Sequence, residues 1–360
     1  MKICVLGTRG FPFIQGGVEK HCESLYTDFS SEYHFIVFRR KPYVNSSISY
    51  PNITFVDLPS TKLKGFETVF HSFLATCYSV FYHPNIVHIH NIGPALFSPI
   101  LRLFGLKIVL TFHSPNYEHK KWGRGPKLLL KWSEKIALKM SDAIIFVNRF
   151  QMEKYNSIIR NKSYYIPNGI PEIIPATKFD YIESLGLETG KYILSVGRIT
   201  PEKGFDCLLK AFARLDDSNY HLVIAGGVET ESAYYNMLKS ILPVGKVIFT
   251  GYVFGEELNQ LYAHARLFIL SSYNEGFPLV LLEAMSYSLD VLVSDIPATH
   301  LVDLTADDYF ETGNDEELAW KISVKLGKEQ KRKYQLEKYN WNSVIEQTVY
   351  VYESIEKVSH

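Results

Sequence analysis

Two glutamates eight positions apart, Glu275 and Glu283, lie in the segment Tyr273-Asn-Glu-Gly-Phe-Pro-Leu-Val-Leu-Leu-Glu-Ala-Met285. Gly276 and Pro278 break the chain just after the first glutamate, and a helical run from Leu279 to Ser286 carries the second. That order places Glu275 on a loop at a helix N-terminus and Glu283 one to two turns inside the helix. Two acceptors and the unpaired N–H groups of a helix start suit a small polar ligand, such as a sugar or ribose linked to phosphate. A solvated amphipathic helix would carry the same pair. The apolar strand Ala265–Leu270 just before it, and the matching motifs upstream, favour the ligand.

Further groups could share such a ligand. Ser195-Val-Gly-Arg-Ile-Thr-Pro-Glu-Lys-Gly204 follows a strand-like run, with Arg198 and Lys203 five apart and Pro201 opening a helix between them. Two cations at a strand end can clamp a pyrophosphate without a metal. Near the start, Leu6-Gly-Thr-Arg-Gly-Phe-Pro-Phe-Ile-Gln-Gly-Gly-Val-Glu19 sets Gly16 and Gly17 at a helix start, where backbone N–H groups can approach a phosphate closely. The dinucleotide fingerprint G-x-G-x-x-G is absent. His113, in Val109-Leu-Thr-Phe-His-Ser-Pro115, falls just past a strand end, where α/β sites lie. His88 and His90 alternate on one strand with no Cys or carboxylate at metal spacing, and read as core and packing residues rather than ligands. Lys120, Arg124, Lys127, Lys131, Lys135 and Lys139 recur at helical steps beside Trp122, Leu128–Leu130, Trp132 and Ile136, as a solvated face or a membrane-facing one.

The elements that must position these groups alternate along the chain. Ile3–Leu6, Phe35–Phe38, Ile86–His90, Lys107–Thr111 and Ala143–Val147 read as buried parallel strands, separated by helical stretches at Gly17–Phe29, Leu63–Tyr82, Ala95–Phe104 and Lys127–Met140. After a turn-rich linker, Pro167-Asn-Gly-Ile-Pro171 with Pro175, the pattern restarts. Strands are expected at Tyr192–Val196, His221–Ala225, Val247–Thr250, Leu267–Leu270 and Val291–Ser294, and helices at Phe205–Leu215, Ala233–Leu242, Glu256–Ala263 and Leu279–Tyr287. The reading is α/β, two Rossmann-like doubly wound domains facing across a cleft, over residues 1–168 and 169–340. An amphipathic helix at 341–360 would pack back toward the first.

Length, 360 residues, suits two domains. Net charge is zero but lopsided: residues 1–170 hold 21 Lys and Arg against 10 Asp and Glu, the remainder 17 against 28. The basic half carries no nucleic-acid motif, so an anionic membrane face or a pyrophosphate-bearing acceptor fits it better. The four cysteines, Cys4, Cys22, Cys77 and Cys207, form no CxxC pair and read as reduced thiols. The start enters a strand too soon for a signal peptide, and no run of about 18 apolar residues is present to span a membrane. Bulky apolar segments occur at Phe66–Tyr82 and Pro94–Phe104.

Together the motifs resemble the retaining glycosyltransferases of family 4, with the two-domain GT-B fold, over essentially the whole chain. Gly197-Arg-Ile-Thr-Pro-Glu-Lys-Gly204 and the Glu275–Glu283 segment carry the resemblance most specifically. The opening segment, and Asn116-Tyr-Glu-His-Lys-Lys-Trp-Gly123, look like a bacterial surface-polysaccharide branch making O-antigen or capsule. The resemblance implies that Gly16 and Gly17 contact the donor phosphate or the acceptor side. Arg198 and Lys203, next to Gly197, would neutralise the leaving diphosphate. Glu283 would hold the ribose, and Glu275 the donor sugar. The backbone amides of the segment Gly276, Phe277, Pro278 and Leu279 would lie near the phosphates. His113 would sit at the sugar, orienting a hydroxyl or stabilising charge. Asn116 stands where relatives often carry Asp, and Ser288 where Gly is commoner.

The implied function is transfer of a hexose or N-acetylhexosamine from a nucleoside-diphosphate sugar, UDP-linked, to a lipid-diphosphate-linked oligosaccharide, with retention. The leaving phosphate would take the acceptor's proton, and no Asp-x-Asp motif is present to hold a metal. No cofactor or metal is expected, and the protein would work in the cytoplasm, peripheral at the inner membrane face. Alternatives are a dTDP-rhamnose-type glycosyltransferase, a UDP-sugar epimerase on the same fold, a non-catalytic sugar-nucleotide-binding subunit, and a nicotinamide-dependent dehydrogenase.

Overall fold

The computed structural model describes residues 1–357 except 15, 45–47, 62–65, 116, 118–122, 171–172, 174–175, 216–218, 229–232, 242–244 and 329–331. Asn116, Lys120, Trp122, Pro171 and Pro175, singled out above, thus lie outside the described residues. The chain divides into two compact units. One comprises the described residues of Met1–Gly169 and Lys338–His360, the other those of Ile170–Glu337.

The first unit is built on a seven-stranded parallel sheet, β1 (Lys2–Leu6), β2 (His34–Arg40), β3 (Ile53–Leu58), β4 (Ile86–His90), β5 (Lys107–Phe112), β6 (Ala143–Phe146) and β7 (Ser163–Tyr165), in the order 3-2-1-4-5-6-7. Strands β1, β4, β5 and β6 are almost wholly buried because both faces of the sheet are covered. Ile3 and Val5 enter one core, Cys4 and Leu6 the other. Helices α1 (Gly17–Thr27), α2 (Phe66–Tyr82), α3 (Ser98–Leu103) and α4 (Arg124–Met140) form the layers, with short helices α5 (Arg149–Glu153) and α6 (Ser157–Arg160) near the last strand.

The second unit has α7 (Asp180–Ser184), β8 (Tyr192–Val196), α8 (Phe205–Ala213), β9 (His221–Ala225), α9 (Ala233–Ser240), β10 (Val247–Gly251), α10 (Gly255–His264), β11 (Leu267–Leu270), α11 (Leu279–Ser286), β12 (Asp290–Ser294), β13 (Tyr309–Phe310) and α12 (Asp315–Leu326). Its six parallel strands run 10-9-8-11-12-13. The last helix, α13 (Trp341–Lys357), returns to the first unit, where Trp341, Val344, Val351 and Tyr352 share a core with Ile3 and Val5.

The sequence pattern missed β3, β7 and β13, the short helices α5, α6 and α7, and α12. Strand β3 is an edge strand whose middle four residues are not buried, so it lacks the apolar run of a central strand. Strands β7 and β13 have three residues and two. The stretch Ala95–Phe104 opens as a 3-10 turn over Pro94–Phe97 before α3 begins.

Ser288 adopts a left-handed φ of 60°. It follows α11 as the turn residue of a Schellman motif: Leu289 N–H donates to Ala284 C=O and Ser288 N–H to Met285 C=O. Left-handed backbone costs a residue with a Cβ about 1–2 kcal/mol, and glycine avoids that at a smaller entropic cost. Ser288→Gly is therefore expected to raise unfolding stability by about 0.5–1 kcal/mol. A urea midpoint that is unchanged or lower would show the turn to be unstrained.

All four cysteines are free thiols, and burial pushes those of Cys4 and Cys207 up to about 12, which makes them inert. Among the described residues no helix is long and apolar enough to cross a membrane.

Candidate functional site

In each sheet the winding reverses beside the first strand, between β1 and β4 and between β8 and β11. Ligands of open α/β sheets collect at the carboxyl ends of the strands at such points. In the second unit the loops leaving β8 and β11 carry Arg198, Lys203 and Glu275. The sequence separates the last two by 72 residues, and the sheet order brings them together.

Those two loops are fastened by their backbones. Tyr273 N–H donates to Glu202 C=O at 2.8 Å, and Ser271 Oγ to Lys203 C=O at 3.0 Å. Gly204 turns with φ 62° so close to β11 that a Cβ would lie 2.1 Å from Ser271 O. Lys203 lies along Gly197, where a Cβ would meet its Cε at 3.2 Å. Its Nζ donates to Glu275 Oε1 at 2.6 Å, and Ser272 Oγ donates to the same oxygen at 2.6 Å. The two side chains are 20% and 11% exposed, so this ion pair is shielded well beyond a surface pair. Seen only as a motif, Lys203 faces a diphosphate and Glu275 a sugar. The structure adds that each holds the other in place.

Beyond Gly276, Phe277 is buried and Pro278 is the N-cap of α11, with no side chain capping the helix start. Its amide dipoles present partial positive charge. Glu283 lies one turn in, and its Oε2 accepts from Tyr262 Oη at 2.9 Å. Tyr262 is fully buried, stacks on Tyr287 at 5.5 Å, and is held as a neutral phenol by burial and by the Glu283 charge. Tyr262 was not legible as a site residue. Its signal is tertiary, a hydroxyl from α10 meeting α11.

In the first unit, Gly7 packs so tightly at the end of β1 that a Cβ would lie 2.0 Å from His90 O. Glu19 ties this loop to α1: its Oε1 accepts from Arg9 N–H at 3.0 Å and from Thr8 Oγ1 at 3.4 Å. Gly16 caps α1 with φ 149°, where a Cβ would strike Glu19 Oε2, whereas Gly17 has open space.

His113 follows β5, is 8% exposed, and its Nε2 lies 3.0 Å from His90 Nδ1. Burial, then the proximity of His21 and His88, holds its pKa well below the ordinary histidine value. His113 is therefore neutral at physiological pH and offers a hydrogen bond or dipole rather than a full positive charge, which narrows its expected role. His88 and His90 are wholly buried, as their reading as core residues has it, but they are also hydrogen-bonded to Tyr26, Thr111, Tyr352 and His113. His21, His90 and His113 offer ring nitrogens within 4.8 Å of one another. His21 also presents itself edge-on to the His113 ring, at 85°.

Comparison with known proteins adds family matches over both halves. Residues 15–172 match the Glycosyltransferase Family 4 model, and residues 177–340 the model for glycosyl transferases group 1. An uncharacterized glycosyltransferase of Methanocaldococcus jannaschii is 30% identical over 189 residues, 49% of this chain and 48% of that protein. An Escherichia coli UDP-Gal:alpha-D-GlcNAc-diphosphoundecaprenol alpha-1,3-galactosyltransferase is 27% identical over 227 residues, 59% of this chain and 58% of that one. The chain thus spans about half the length of the curated relatives it matches. The solved sucrose-phosphate synthase of Thermosynechococcus elongatus superposes with a TM-score of 0.81 at 20% identity, covering 99% of this chain and 100% of that one. The fold is GT-B, two Rossmann-like units in sequence.

Proposed function

We propose that this chain, which is built of a Glycosyltransferase Family 4 domain followed by a glycosyl transferases group 1 domain, moves a hexose or N-acetylhexosamine from a UDP-sugar to a lipid-diphosphate-linked oligosaccharide. Transfer proceeds with retention, in surface-polysaccharide synthesis at the cytoplasmic membrane face. The observation that carries the reading is the meeting of Lys203, Glu275 and the uncapped start of α11 where β8 and β11 adjoin. That cluster supplies cation, acceptor and amide dipoles together, as a sugar diphosphate requires. The Escherichia coli relative, whose name specifies a UDP-sugar and a diphosphoundecaprenol acceptor, supports the donor and acceptor classes.

In this reading the barrier is charge separation between a departing diphosphate and an oxocarbenium-like sugar. Lys203 and Arg198 neutralise the diphosphate. Glu275 keeps Lys203 aimed while its remaining oxygen accepts from a sugar hydroxyl. Glu283, held by Tyr262, accepts from the ribose, and neutral His113 hydrogen-bonds the sugar. Gly17 leaves room for a phosphate or acceptor group at the start of α1. The leaving phosphate receives the acceptor's proton, so the chemistry needs neither a separate base nor a metal. A panel of sugar nucleotides, read by release of nucleoside diphosphate with and without a polyprenyl-diphosphate glycan, tests it. Release with one donor, raised by the acceptor, is expected. No release with any donor would overturn the reading.

Glu283 meets a group that changes little during reaction. Glu283→Gln should therefore weaken UDP binding by about tenfold, consistent with a lost charge-assisted hydrogen bond of about 1.5 kcal/mol. Turnover at saturating donor should change far less. Calorimetry showing wild-type UDP affinity would place the ribose elsewhere.

The acceptor side calls for a membrane face. Helix α3 packs against both α2 and α4, and the three, with Phe104 (63%) as the C-cap of α3, expose Phe81 (79%), Leu103 (84%) and Trp132 (63%). Lys131, Lys135 and Lys139 are exposed on α4 in the same layer. Each basic residue at an anionic surface contributes about 1 kcal/mol, screened by salt. Co-sedimentation with anionic vesicles should be strong at low salt, fall as salt rises, and weaken in Lys127→Glu/Lys131→Glu/Lys135→Glu. Equal, poor pelleting with anionic and neutral vesicles would make this layer a solvated face.

A further inference from the structure

We infer that a buried hydrogen-bond chain fixes the proton of His113 on Nδ1, so that His113 meets its ligand as a donor, and that Tyr26 and Tyr352 are positioning residues for it. The inference deepens the reading of His113 at the sugar and rests on it for its catalytic consequence only.

The chain can be solved by counting protons. His88 Nδ1 faces two phenol oxygens, Tyr26 Oη at 2.8 Å and Tyr352 Oη at 2.6 Å, and His88 Nε2 faces Thr111 Oγ1 at 2.7 Å. A neutral imidazole has one N–H and one lone pair. If Nδ1 were the bare nitrogen, a single in-plane lone pair would face two oxygens, of which only one could donate well, and the other would press lone pair against lone pair. With the proton on Nδ1, one N–H faces both oxygens and Thr111 Oγ1 donates to Nε2, so each contact of the His88 ring is a donor with an acceptor.

The remainder follows in one direction. With the proton on His88 Nδ1, Tyr352, which is hydrogen-bonded to Tyr26, has the Tyr26 oxygen as its acceptor; accepting from both His88 and Tyr352, Tyr26 donates its own proton to His90 Nε2, 2.6 Å away. Neutral His90 then carries its proton on Nδ1 and donates it to His113 Nε2 at 3.0 Å. His113 Nε2 is thereby used as an acceptor, and its proton belongs on Nδ1. His21 does not compete: its Nδ1 proton goes to Asn168 Oδ1 at 2.7 Å, and its Nε2 is buried without a partner among the described residues. Burial keeps these rings neutral, lowering the pKa to about 4 for His21 and about 3 for His88.

A ligand thus meets an N–H at His113, which suits a sugar hydroxyl or phosphate oxygen as acceptor and excludes proton abstraction by that ring. The setting runs back to Tyr352 on α13, 239 residues beyond His113 in the sequence and within the same unit. The arrangement parallels a buried carboxylate that holds a catalytic histidine in one tautomer, where the wrong tautomer alone costs orders of magnitude in rate.

The test is a long-range proton–nitrogen NMR spectrum of the full chain labelled at the imidazole nitrogens, with His113 assigned by His113→Gln. The expected result is a protonated Nδ1 and a bare Nε2 in the wild type, and a measurable share of the opposite tautomer in Tyr26→Phe. Tyr352→Phe, which keeps Tyr26, is expected to give a smaller shift in the same direction. A protonated Nε2 in the wild type, or an unchanged tautomer in a folded Tyr26→Phe, would overturn the inference. This measurement involves no turnover, so it stands or falls apart from the transferase reading. Where transfer is measurable, Tyr26→Phe should lower kcat by about tenfold or more with the donor KM nearly unchanged. Equal losses in kcat and in donor affinity would mark a merely structural role.

Discussion

Replacing Lys203 by alanine is expected to lower the turnover of the proposed sugar transfer by about 10²-fold or more, with the fold retained. The proposed work of Lys203 is done mainly as charge develops on the leaving diphosphate, so its loss falls on kcat more than on donor binding. Arg198→Ala should behave in the same sense. The structure adds a sharper form of the test. Lys203 Nζ and Ser272 Oγ share Glu275 Oε1, both at 2.6 Å. Lys203→Ala also releases Glu275, and Glu275→Ala also releases Lys203. The double variant should therefore cost much less than the product of the two single losses, because residues acting as a unit are not additive. Steady-state kinetics of the three variants, with circular dichroism to confirm folding, decides it. Wild-type rates in Lys203→Ala and Arg198→Ala would remove the clamp, and fully multiplicative losses would mean that the ion pair does not position the lysine.

The second large effect is on stability. Gly204→Ala should destabilise the second unit by about 3 kcal/mol, summing about 1–2 for a left-handed alanine and about 1–3 for displaced packing. The obstacle is the Ser271 carbonyl of the adjoining strand end, 2.1 Å from the new Cβ, and backbone yields less than a flexible side chain. Relieving the clash would stretch the Ser271–Lys203 and Tyr273–Glu202 hydrogen bonds and so misplace Lys203. Gly186→Ala is the matched control: φ is 68° there, but nothing lies within 4 Å of an added Cβ. It should cost only about 1 kcal/mol. Chemical denaturation of both variants separates strain from clash. Equal losses would mean that the approach to Ser271 is not what demands glycine.

The amino-acid pattern by itself determined the α/β class, the alternation of its main strands and helices, and where most strands lie. Central parallel strands must be apolar on both faces, and short apolar runs such as Ile86–His90 and Tyr192–Val196 admit few other readings. It also marked Arg198, Lys203 and Glu275, because charged residues just past apolar strands sit where α/β sheets present their strand ends, and Glu283, eight positions beyond Glu275 on the helix that follows. The edge strands β3, β7 and β13 were not legible, since an edge that is short or half exposed carries no strong periodicity. Ser288 in a left-handed turn was visible only as a departure from glycine, until the backbone showed what the position demands. Tertiary structure alone decided which distant residues meet. Sheet order sets β8 beside β11, and hence Lys203 on Glu275. The packing of α10 against α11 puts the Tyr262 hydroxyl on Glu283. The return of α13 to the first unit sets Tyr352 on His88, and with it the buried chain that ends at His113. None of these pairs has a local signature, because each joins groups whose separation along the chain exceeds the period of any helix or strand.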